Sequence, residues 1–258
     1  MTGTGQLLDL YVLTGTSRGL GAALAGQVLG TAASLLAMAR HANPWLAAEA
    51  LRRGARLQQC EIDLADATAA ARELRQWLCR QDRDRVRSAT LINNAAALAR
   101  PGPVEIADDA ELSQVLRVDI EAPILLTSAF LGATRGWPGA RRVLHISSGA
   151  GRRPLAGSSS YCAAKAALDH FARAVALDEQ RHGPAGARIV SLAPGVIDTD
   201  MQATLREADP EVFGERPFFV DLHERGQLLT AQAAATRVLA YLAREDFGSQ
   251  PVADVRDA

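Results

Sequence analysis

Short apolar runs alternate with longer amphipathic stretches along nearly the whole chain. The apolar runs predict strands at residues 10–14, 34–39, 57–62, 89–93, 142–147 and 188–193. Apolar residues at helical spacing predict helices between them, at residues 20–29, 66–80, 110–131 and 160–180. Strands separated by helices are typical of βαβ units, which build a parallel sheet covered by helices on both faces. The pattern therefore predicts an α/β fold with a doubly wound parallel sheet.

The sequence shows no sign of a second domain. No internal repeat, low-complexity tract or linker rich in Pro, Gly or Ser marks a boundary. A chain of 258 residues, 48% of them hydrophobic, can bury one good-sized core. We therefore expect residues 1–258 to form a single domain.

Composition argues against several classes of protein. A net charge of −1 does not favour a nucleic-acid-binding surface. The three cysteines form no CxxC pair, which fits a reducing compartment and predicts neither a disulfide framework nor a metal site. The longest apolar-looking stretch, residues 28–39, is too short to span a bilayer, and the N-terminus has no signal-like core. We expect a cytoplasmic protein that contacts no membrane.

A glycine-rich loop, TGTSRGLG, follows the first predicted strand and leads into a predicted helix. Glycines let the backbone turn tightly and approach a pyrophosphate, which the free N–H groups of a helix N-terminus then bind. An ordinary tight turn is the alternative, but the strand before the loop and the helix after it favour a Rossmann-type dinucleotide site. The loop residues expected to bind the cofactor are Gly15, Thr16, Ser17, Arg18, Gly19, Leu20 and Gly21.

The charges around this loop bear on the choice of dinucleotide. NAD enzymes usually carry an acidic residue after the second strand, where it binds the adenosine ribose. This chain has Arg40 there, and Arg18 in the glycine loop. Each arginine alone reads equally well as a solvated surface charge, but together they favour a 2′-phosphate and predict NADP(H). Asp63, followed by Leu64, is placed to bind the adenine; its alternative role is to cap the helix that follows.

A second group of polar residues lies in the later half of the chain. Tyr161 and Lys165 are four residues apart in a predicted helix and therefore share one of its faces. Such a pair occurs by chance in many helices, as a buried tyrosine beside a surface lysine. It gains meaning because a serine-rich turn and a predicted nucleotide loop accompany it.

Four motifs in order, TGTSRGLG, INNAA, ISS and YCAAK, resemble those of the single-domain short-chain dehydrogenase/reductase family. The resemblance covers nearly the whole chain. Ser148 stands thirteen residues before Tyr161, the spacing found in that family, which selects it over Ser147 as the catalytic serine. Within the family, the motifs are similar to those of bacterial benzil reductases of the (S)-benzoin-forming type and of sepiapterin reductases.

The resemblance implies a role for each of these side chains. Tyr161 is the general acid, and Lys165 favours its phenolate form and hydrogen-bonds the nicotinamide ribose. Ser148 holds the substrate carbonyl oxygen. The family often has an asparagine where this chain has Asp119; its main-chain carbonyl holds a water in a proton relay to the lysine. A backbone carbonyl does not depend on its side chain, so we expect the relay to tolerate Asp119; the alternative is that the extra carboxylate alters the proton path or the local fold. We count this residue in the site.

The resemblance also implies further cofactor contacts. The side-chain amides of Asn93 and Asn94, at the end of the fourth strand, can donate and accept, which suits holding the strand end and the cofactor ribose together. Ala95 is expected to contact the cofactor as well. The turn after the sixth strand contacts the nicotinamide and its carboxamide, through Pro194, Val196, Ile197 and Thr199.

Residues 200–230 form a long segment of mixed polarity directly after that turn, where the family places a lid over its substrate. The segment contains Phe213, Phe218 and Phe219, which suggest a flat, apolar substrate; packing within the lid is the alternative. We expect substrate contacts from Ser148, Tyr161 and Phe213.

Together, these expectations predict an NADPH-dependent carbonyl reductase that converts one ketone of an aromatic α-diketone to the α-hydroxy ketone. The alternative substrates are a pteridine side-chain diketone and a 3-oxoacyl thioester. A competitor of another class is a regulator that binds NADPH without turning it over. The complete Ser148, Tyr161 and Lys165 set argues against such a sensor.

The helices at 110–131 and 160–180 carry apolar residues beyond one stripe. A helix of this kind is buried on more than one side. We expect the second side to be covered by another copy of the chain in a homodimer.

Overall fold

The computed structural model describes residues 7–30 and 32–257. Within them, seven strands form one sheet. The strands are β1 (Leu8–Thr14), β2 (Ala33–Ala39), β3 (Arg56–Glu61), β4 (Val86–Asn93), β5 (Ala140–Ile146), β6 (Arg188–Ala193) and β7 (Val252–Asp254). Their order is β3-β2-β1-β4-β5-β6-β7, and every neighbouring pair is parallel. The predicted Rossmann-type sheet is therefore confirmed, with a short seventh strand added at one edge.

Helices cover both faces of the sheet. Those in the described part of the chain are α1 (Gly19–Val28), α2 (Pro44–Arg53), α3 (Ala67–Cys79), α4 (Asp109–Leu116), α5 (Ala122–Ala133), α6 (Ser159–Gln180), α7 (Asp200–Glu207), α8 (Arg216–Glu224) and α9 (Ala231–Leu242). None of them is long and apolar enough to cross a membrane.

The prediction of one regular helix over residues 110–131 is corrected. A turn of π-helix, Arg117–Glu121, separates α4 from α5. A π turn holds one residue more than an α turn, so it rotates the side chains that follow and often occurs at functional sites. In this turn Val118 and Asp119 face the interior, which places a carboxylate where a regular amphipathic pattern gives no reason to expect one.

Side chains of β1 show how the two faces are filled. Leu10 and Val12 pack on one side against α3, α5 and α6, while Leu13 packs on the other against α1 and α9. This alternation follows from the two-residue period of a strand. Because apolar layers cover both faces of the sheet, the carboxyl ends of its strands are where a ligand can reach it.

The strand order reverses between β1 and β4, since β2 and β3 lie on one side of this pair and β5 to β7 on the other. In open parallel sheets, ligands bind at the carboxyl ends of the strands beside such a reversal. The glycine loop and the ends of β4 and β5 all meet there.

The segment that contains α7 and α8 leaves the sheet and returns to the same place. Leu229 donates its N–H to the carbonyl of Val196, and its own carbonyl accepts from the N–H of Asp198, at 2.8 and 2.9 Å. Between these ends, Leu205, Phe213 and Phe219 form a small apolar cluster of their own.

Candidate active site

A cleft of about 1050 Å³ opens along the carboxyl edge of the sheet. The glycine loop and the residues that follow β2, β3 and β4 line one end of it. Ser148, Tyr161, Lys165 and the α7 segment line the other end. The two groups of residues that the sequence singled out therefore face one shared space.

The glycine loop is shaped for a closely approaching ligand. Gly15 and Gly19 adopt φ values of +74° and +56°, which favour glycine. A Cβ on Gly21 would collide with the carbonyl oxygen of Gly15, so the tight turn requires glycine here. No side chain caps the N-terminus of α1, and its first N–H groups remain for an anion. This cradle fits the pyrophosphate of a dinucleotide.

The ends of β1 and β4 are fastened together beside this loop. The Oγ1 of Thr14 accepts hydrogen bonds from the backbone N–H groups of Asn94 and Ala95, at 2.9 and 3.0 Å. The Asn94 amide in turn donates to the carbonyl of Thr14 at 2.9 Å. Asn94 thus holds the strand end, and both Asn94 and Ala95 line the cleft.

Two basic side chains lie at the end of the cleft that the glycine loop forms. Arg18 and Arg40 both line it. Arg18 forms an ion pair with Asp200 at 2.6 Å, whereas Arg40 is exposed and makes no ion pair with any described residue. Asp63 also lines the cleft, while Asp66 caps the following helix by accepting from Ala69 N–H. The alternative role of Asp63 as that cap therefore does not apply.

Sequence reasoning missed Asn43, which connects the glycine loop to the start of α2. Its Nδ2 donates to the carbonyls of Thr16 and Ser17 at 3.3 and 3.2 Å. Its Oδ1 caps α2 by accepting from Trp45 N–H at 3.0 Å. An asparagine followed by proline is a helix-start signal, but the contact with the glycine loop has no signal in the local sequence.

Ser148 follows β5, and Tyr161 and Lys165 lie on one face of α6 as predicted. The Nζ of Lys165 is 5.3 Å from the centre of the Tyr161 ring and donates to the carbonyl of Ile146 at 3.3 Å. Ser148 Oγ accepts from Ala150 N–H at 3.2 Å. The three functional groups therefore converge on one wall of the cleft.

Burial and charge act in opposite directions on Tyr161. Burial raises the pKa of its phenol, while Lys165 and hydrogen bonding to Ser148 lower it. The negative charge of Asp119 raises the pKa of the phenol further, so that the pKa of Tyr161 lies above its ordinary value. Lys165 thus acts in the predicted direction, but its effect is smaller than that of burial.

Asp119 contributes its side chain as well as its backbone. The carboxylate is fully buried, and its Oδ1 accepts from the backbone N–H of Ala97 at 2.6 Å. Its Oδ2 lies 3.2 Å from Lys165 Nζ in an ion pair. The expected relay involved only the backbone carbonyl, so this direct contact is a finding that the sequence did not predict.

The structure places four of the predicted site residues away from the cleft surface, the buried Asp119 and three others. Thr16 is buried and contributes its carbonyl to Asn43. Asn93 is buried under the site, with its amide near Thr127 and His145, so it is Asn94 that braces the strand end. Phe213 is fully buried in the cluster within the α7–α8 segment.

The position of Phe213 corrects the prediction of a substrate contact there, because its ring packs inward. Phe218 and Phe219 line the cleft instead. The larger apolar side chains of the cleft wall include Leu98, Leu155, Met201, Leu205, Phe218 and Phe219. The Arg153 guanidinium lies over the Phe218 ring at 5.4 Å and gives this wall a cationic edge.

The remaining predicted residues do line the cleft. They comprise the other glycine-loop positions together with Arg40, Asp63, Leu64, Ala95, Pro194, Val196, Ile197 and Thr199. Their placement agrees with a dinucleotide extended across the carboxyl ends of the strands. Among the described residues, no group of three or more His, Cys, Asp or Glu side chains could hold a metal ion.

Comparison with known proteins gives a consistent result. The chain is 35% identical to a benzil reductase ((S)-benzoin forming) of Bacillus cereus, over 92% of this chain and 94% of that protein. It is 32% identical to a sepiapterin reductase of Rattus norvegicus, over 95% of both.

A solved structure of a putative NAD(P) dependent gluconate 5-dehydrogenase from Beutenbergia cavernae, with NADP bound at low occupancy, is also similar. Its TM-score is 0.79 at 25% identity, covering 97% of this chain and 96% of that one. The family model for short chain dehydrogenases matches residues 10–210. With the glycine cradle and the Ser148, Tyr161 and Lys165 wall on one cleft, the chain belongs to the short-chain dehydrogenase/reductase family and is an oxidoreductase that uses a nicotinamide cofactor.

Proposed function

We propose that this protein is an NADPH-dependent carbonyl reductase that converts one ketone of an aromatic α-diketone, such as benzil, to the α-hydroxy ketone. The observation that carries the proposal is that Ser148, Tyr161 and Lys165 line the same cleft as the glycine cradle. A sensor that only binds the dinucleotide has no need of a proton donor on the opposite wall.

Each side chain has a defined task in the reduction. When bound, the nicotinamide supplies the hydride that reduces the carbonyl carbon. Ser148 donates a hydrogen bond to the carbonyl oxygen and fixes its position. Tyr161 gives its phenolic proton to the same oxygen, which leaves a phenolate on the enzyme and an alcohol as product. Lys165 stabilises that phenolate and binds the cofactor ribose.

The preference for NADPH rests on Arg18 and Arg40. Two guanidinium groups at the adenosine end provide the planar donors that a 2′-phosphate requires. No acidic side chain from the end of β2 competes for the ribose hydroxyls, since Arg40 follows this strand directly. Asp63 remains available for the adenine amino group.

The choice of substrate rests on the apolar wall of the cleft. Phe218, Phe219 and Leu155 offer flat and aliphatic surfaces in the same cleft as Ser148, which suits an aryl ketone. The similarity of this chain to proteins named benzil reductase and sepiapterin reductase supports the same choice of substrate class. A pteridine side-chain diketone and a 3-oxoacyl thioester are the alternative substrates.

We also propose that residues 200–230 form a lid over this substrate and that residues 1–258 form one domain. The lid proposal is supported by the hydrogen bonds of Leu229, which bring both ends of the segment together beside the cleft. A segment closed at its base can move as a unit.

The test is NADPH oxidation measured against benzil, sepiapterin and a 3-oxoacyl thioester, with wild-type protein and Tyr161→Phe. We expect benzil to give the highest kcat/KM, and Tyr161→Phe to lower its kcat by about a hundredfold or more. NADPH binding, followed by fluorescence, should be unchanged in this variant because the ring still packs. Binding without oxidation of NADPH on any of the three substrates would favour the sensor instead.

A further inference from the structure

Lys165 is paired with a carboxylate inside the protein. The side chains of Lys165 and Asp119 are 3% and 0% exposed, and the Nζ–Oδ2 distance is 3.2 Å. The pair lies beneath Tyr161, whose ring centre is 5.3 Å from the same Nζ. Any charge that Asp119 carries therefore acts directly on the groups that exchange the proton.

The surroundings of Asp119 require an acceptor at both of its side-chain oxygens. The Ala97 N–H donates to Oδ1 at 2.6 Å, and the Lys165 ammonium faces Oδ2. A carboxylate accepts at both positions, whereas an asparagine amide would present its NH₂ group to one of these donors. A buried donor facing another donor is costly. The site is therefore built for the carboxylate.

The ion pair determines how strongly the positive charge of Lys165 acts on the phenol of Tyr161. Burial by itself would lower the pKa of Lys165, but Asp119, Tyr161 and Asp169 outweigh it, so the ammonium form is favoured. Two further titratable groups lie nearby: Cys162, beside Tyr161, adds to the raised pKa of the phenol, and burial and Lys165 lower the pKa of His145 on β5 to about 3, so His145 is neutral. Burial raises the pKa of Asp119 above its ordinary value, against the opposing effects of Lys165 and the Ala97 N–H. In its ionised form, with Oδ2 3.2 Å from Nζ, the carboxylate offsets the positive charge of Lys165 beside Tyr161.

We propose that Asp119 is a positioning residue that holds Lys165 in a charge-balanced pair and thereby keeps Tyr161 protonated, so that ketone reduction persists into alkaline solution. The inference rests on the proposed function, because it takes Tyr161 as the acid. Asp119 also fastens Lys165 to the backbone of the loop after β4, since one carboxylate binds both. The proton donor and that part of the cleft wall are thereby held in a fixed relation.

The first test is the pH profile of kcat/KM for benzil reduction by NADPH. The alkaline limb marks the loss of the phenolic proton. Removing the carboxylate charge in Asp119→Asn should move this limb to lower pH by about one unit or more. Asp119→Glu keeps the charge and should leave the limb near its wild-type position. An unmoved limb in Asp119→Asn would overturn the proposal.

The matched control is Glu179→Gln, which removes another buried carboxylate from the far end of α6. Glu179 pairs with Arg135 and Arg141 and is not part of the cleft wall. We expect this variant to lose stability without moving the alkaline limb. Such a result separates a change of charge beside Tyr161 from a general weakening of the fold.

The second test needs no turnover. The chain has three tyrosines, so the ultraviolet difference between wild type and Tyr161→Phe isolates the ionisation of Tyr161 during a pH titration. The wild-type midpoint should lie well above neutral pH, and Asp119→Asn should lower it. If no carbonyl substrate is reduced, the proposed function fails while this titration still tests the pair. If Asp119→Asn does not fold, a wild-type midpoint at or below neutral pH overturns the inference.

Discussion

Arg18 and Asp200 form an ion pair of 2.6 Å that joins the glycine loop to the first residue of α7. Both side chains are about 70% exposed, so the pair contributes little to stability. The position of the pair is relevant to cofactor binding, because Arg18 is also a proposed ligand of the cofactor 2′-phosphate. If Arg18 has that role, Asp200 competes with the phosphate for the same guanidinium.

Replacing Asp200 with alanine should strengthen NADPH binding. The variant frees Arg18 from its carboxylate partner, so the Kd for NADPH should fall by up to about fivefold, the range expected of an exposed pair. The Kd for NADH should not change, since NADH has no 2′-phosphate for Arg18 to bind. Fluorescence titration with both cofactors measures this difference.

The matched control for that experiment is Asp198→Ala. Asp198 lies two residues earlier and pairs with Arg206 at 3.5 Å, outside the glycine loop. It should leave both Kd values unchanged. A weaker affinity for NADPH in Asp200→Ala would contradict the competition between carboxylate and phosphate.

Cofactor preference depends on Arg40 as well. We expect the wild-type protein to favour NADPH over NADH by at least about tenfold in kcat/KM, or about 1.4 kcal/mol. Arg40→Asp replaces a phosphate ligand by an acceptor for ribose hydroxyls and should reverse this preference. Arg52→Asp, on the exposed side of α2 and away from the cleft wall, serves as control. Equal use of the two cofactors by the wild type would refute the NADP assignment.

The sequence predicted the parts of the site that depend on local spacing. The glycine loop, Tyr161 and Lys165 are each fixed by a few neighbouring residues and by the strand or helix that contains them. The cofactor edge followed because parallel strands bring their carboxyl ends together. Six of the seven strands could be read from apolar runs, whereas β7, a three-residue edge strand, is too short to leave such a pattern.

The parts that escaped prediction depend on contacts between distant segments. The π turn that directs Asp119 toward Lys165 leaves no mark in the apolar pattern of residues 110–131. Phe213 illustrates a different limit. A cluster of phenylalanines indicated an apolar wall, but only packing decides that Phe213 is fully buried while Phe218 is exposed at the cleft. Phe219 lies between them, buried against Phe213 and lining the cleft with one part of its ring.

A second copy of the chain is the expected cover for the outer face of α6. Phe171 and Ala167 are half-buried there, Ala174 is exposed, and Leu177 is 63% exposed. We expect a homodimer by light scattering at micromolar concentration, and a shift toward monomer in Leu177→Glu. Leu51→Glu, at an 85% exposed leucine on α2, should leave the mass unchanged. A wild-type monomer would refute the dimer.

Glu179 anchors a buried charge cluster at the far end of α6 from the active-site residues. It accepts from Arg135 at 2.5 Å and from the Ala187 N–H at 2.7 Å, and Arg141 lies beside it. Burial alone would raise the pKa of this carboxyl, but the hydrogen bonds and the arginines prevail and lower it below the ordinary value. The folded protein thus prefers the ionised form.

The loss of this carboxylate should be visible in both stability and its pH dependence. Glu179→Gln leaves the Arg141 charge buried without its partner and should reduce the free energy of unfolding by about 3 kcal/mol. A lowered folded-state pKa stabilises the protein above the ordinary value near 4.5, and this stabilisation is lost as the pH falls through the folded-state pKa. Urea unfolding from neutral pH downward should therefore show a shallower decline in Glu179→Gln than in wild type. Parallel declines would show that this carboxylate is not stabilised by folding.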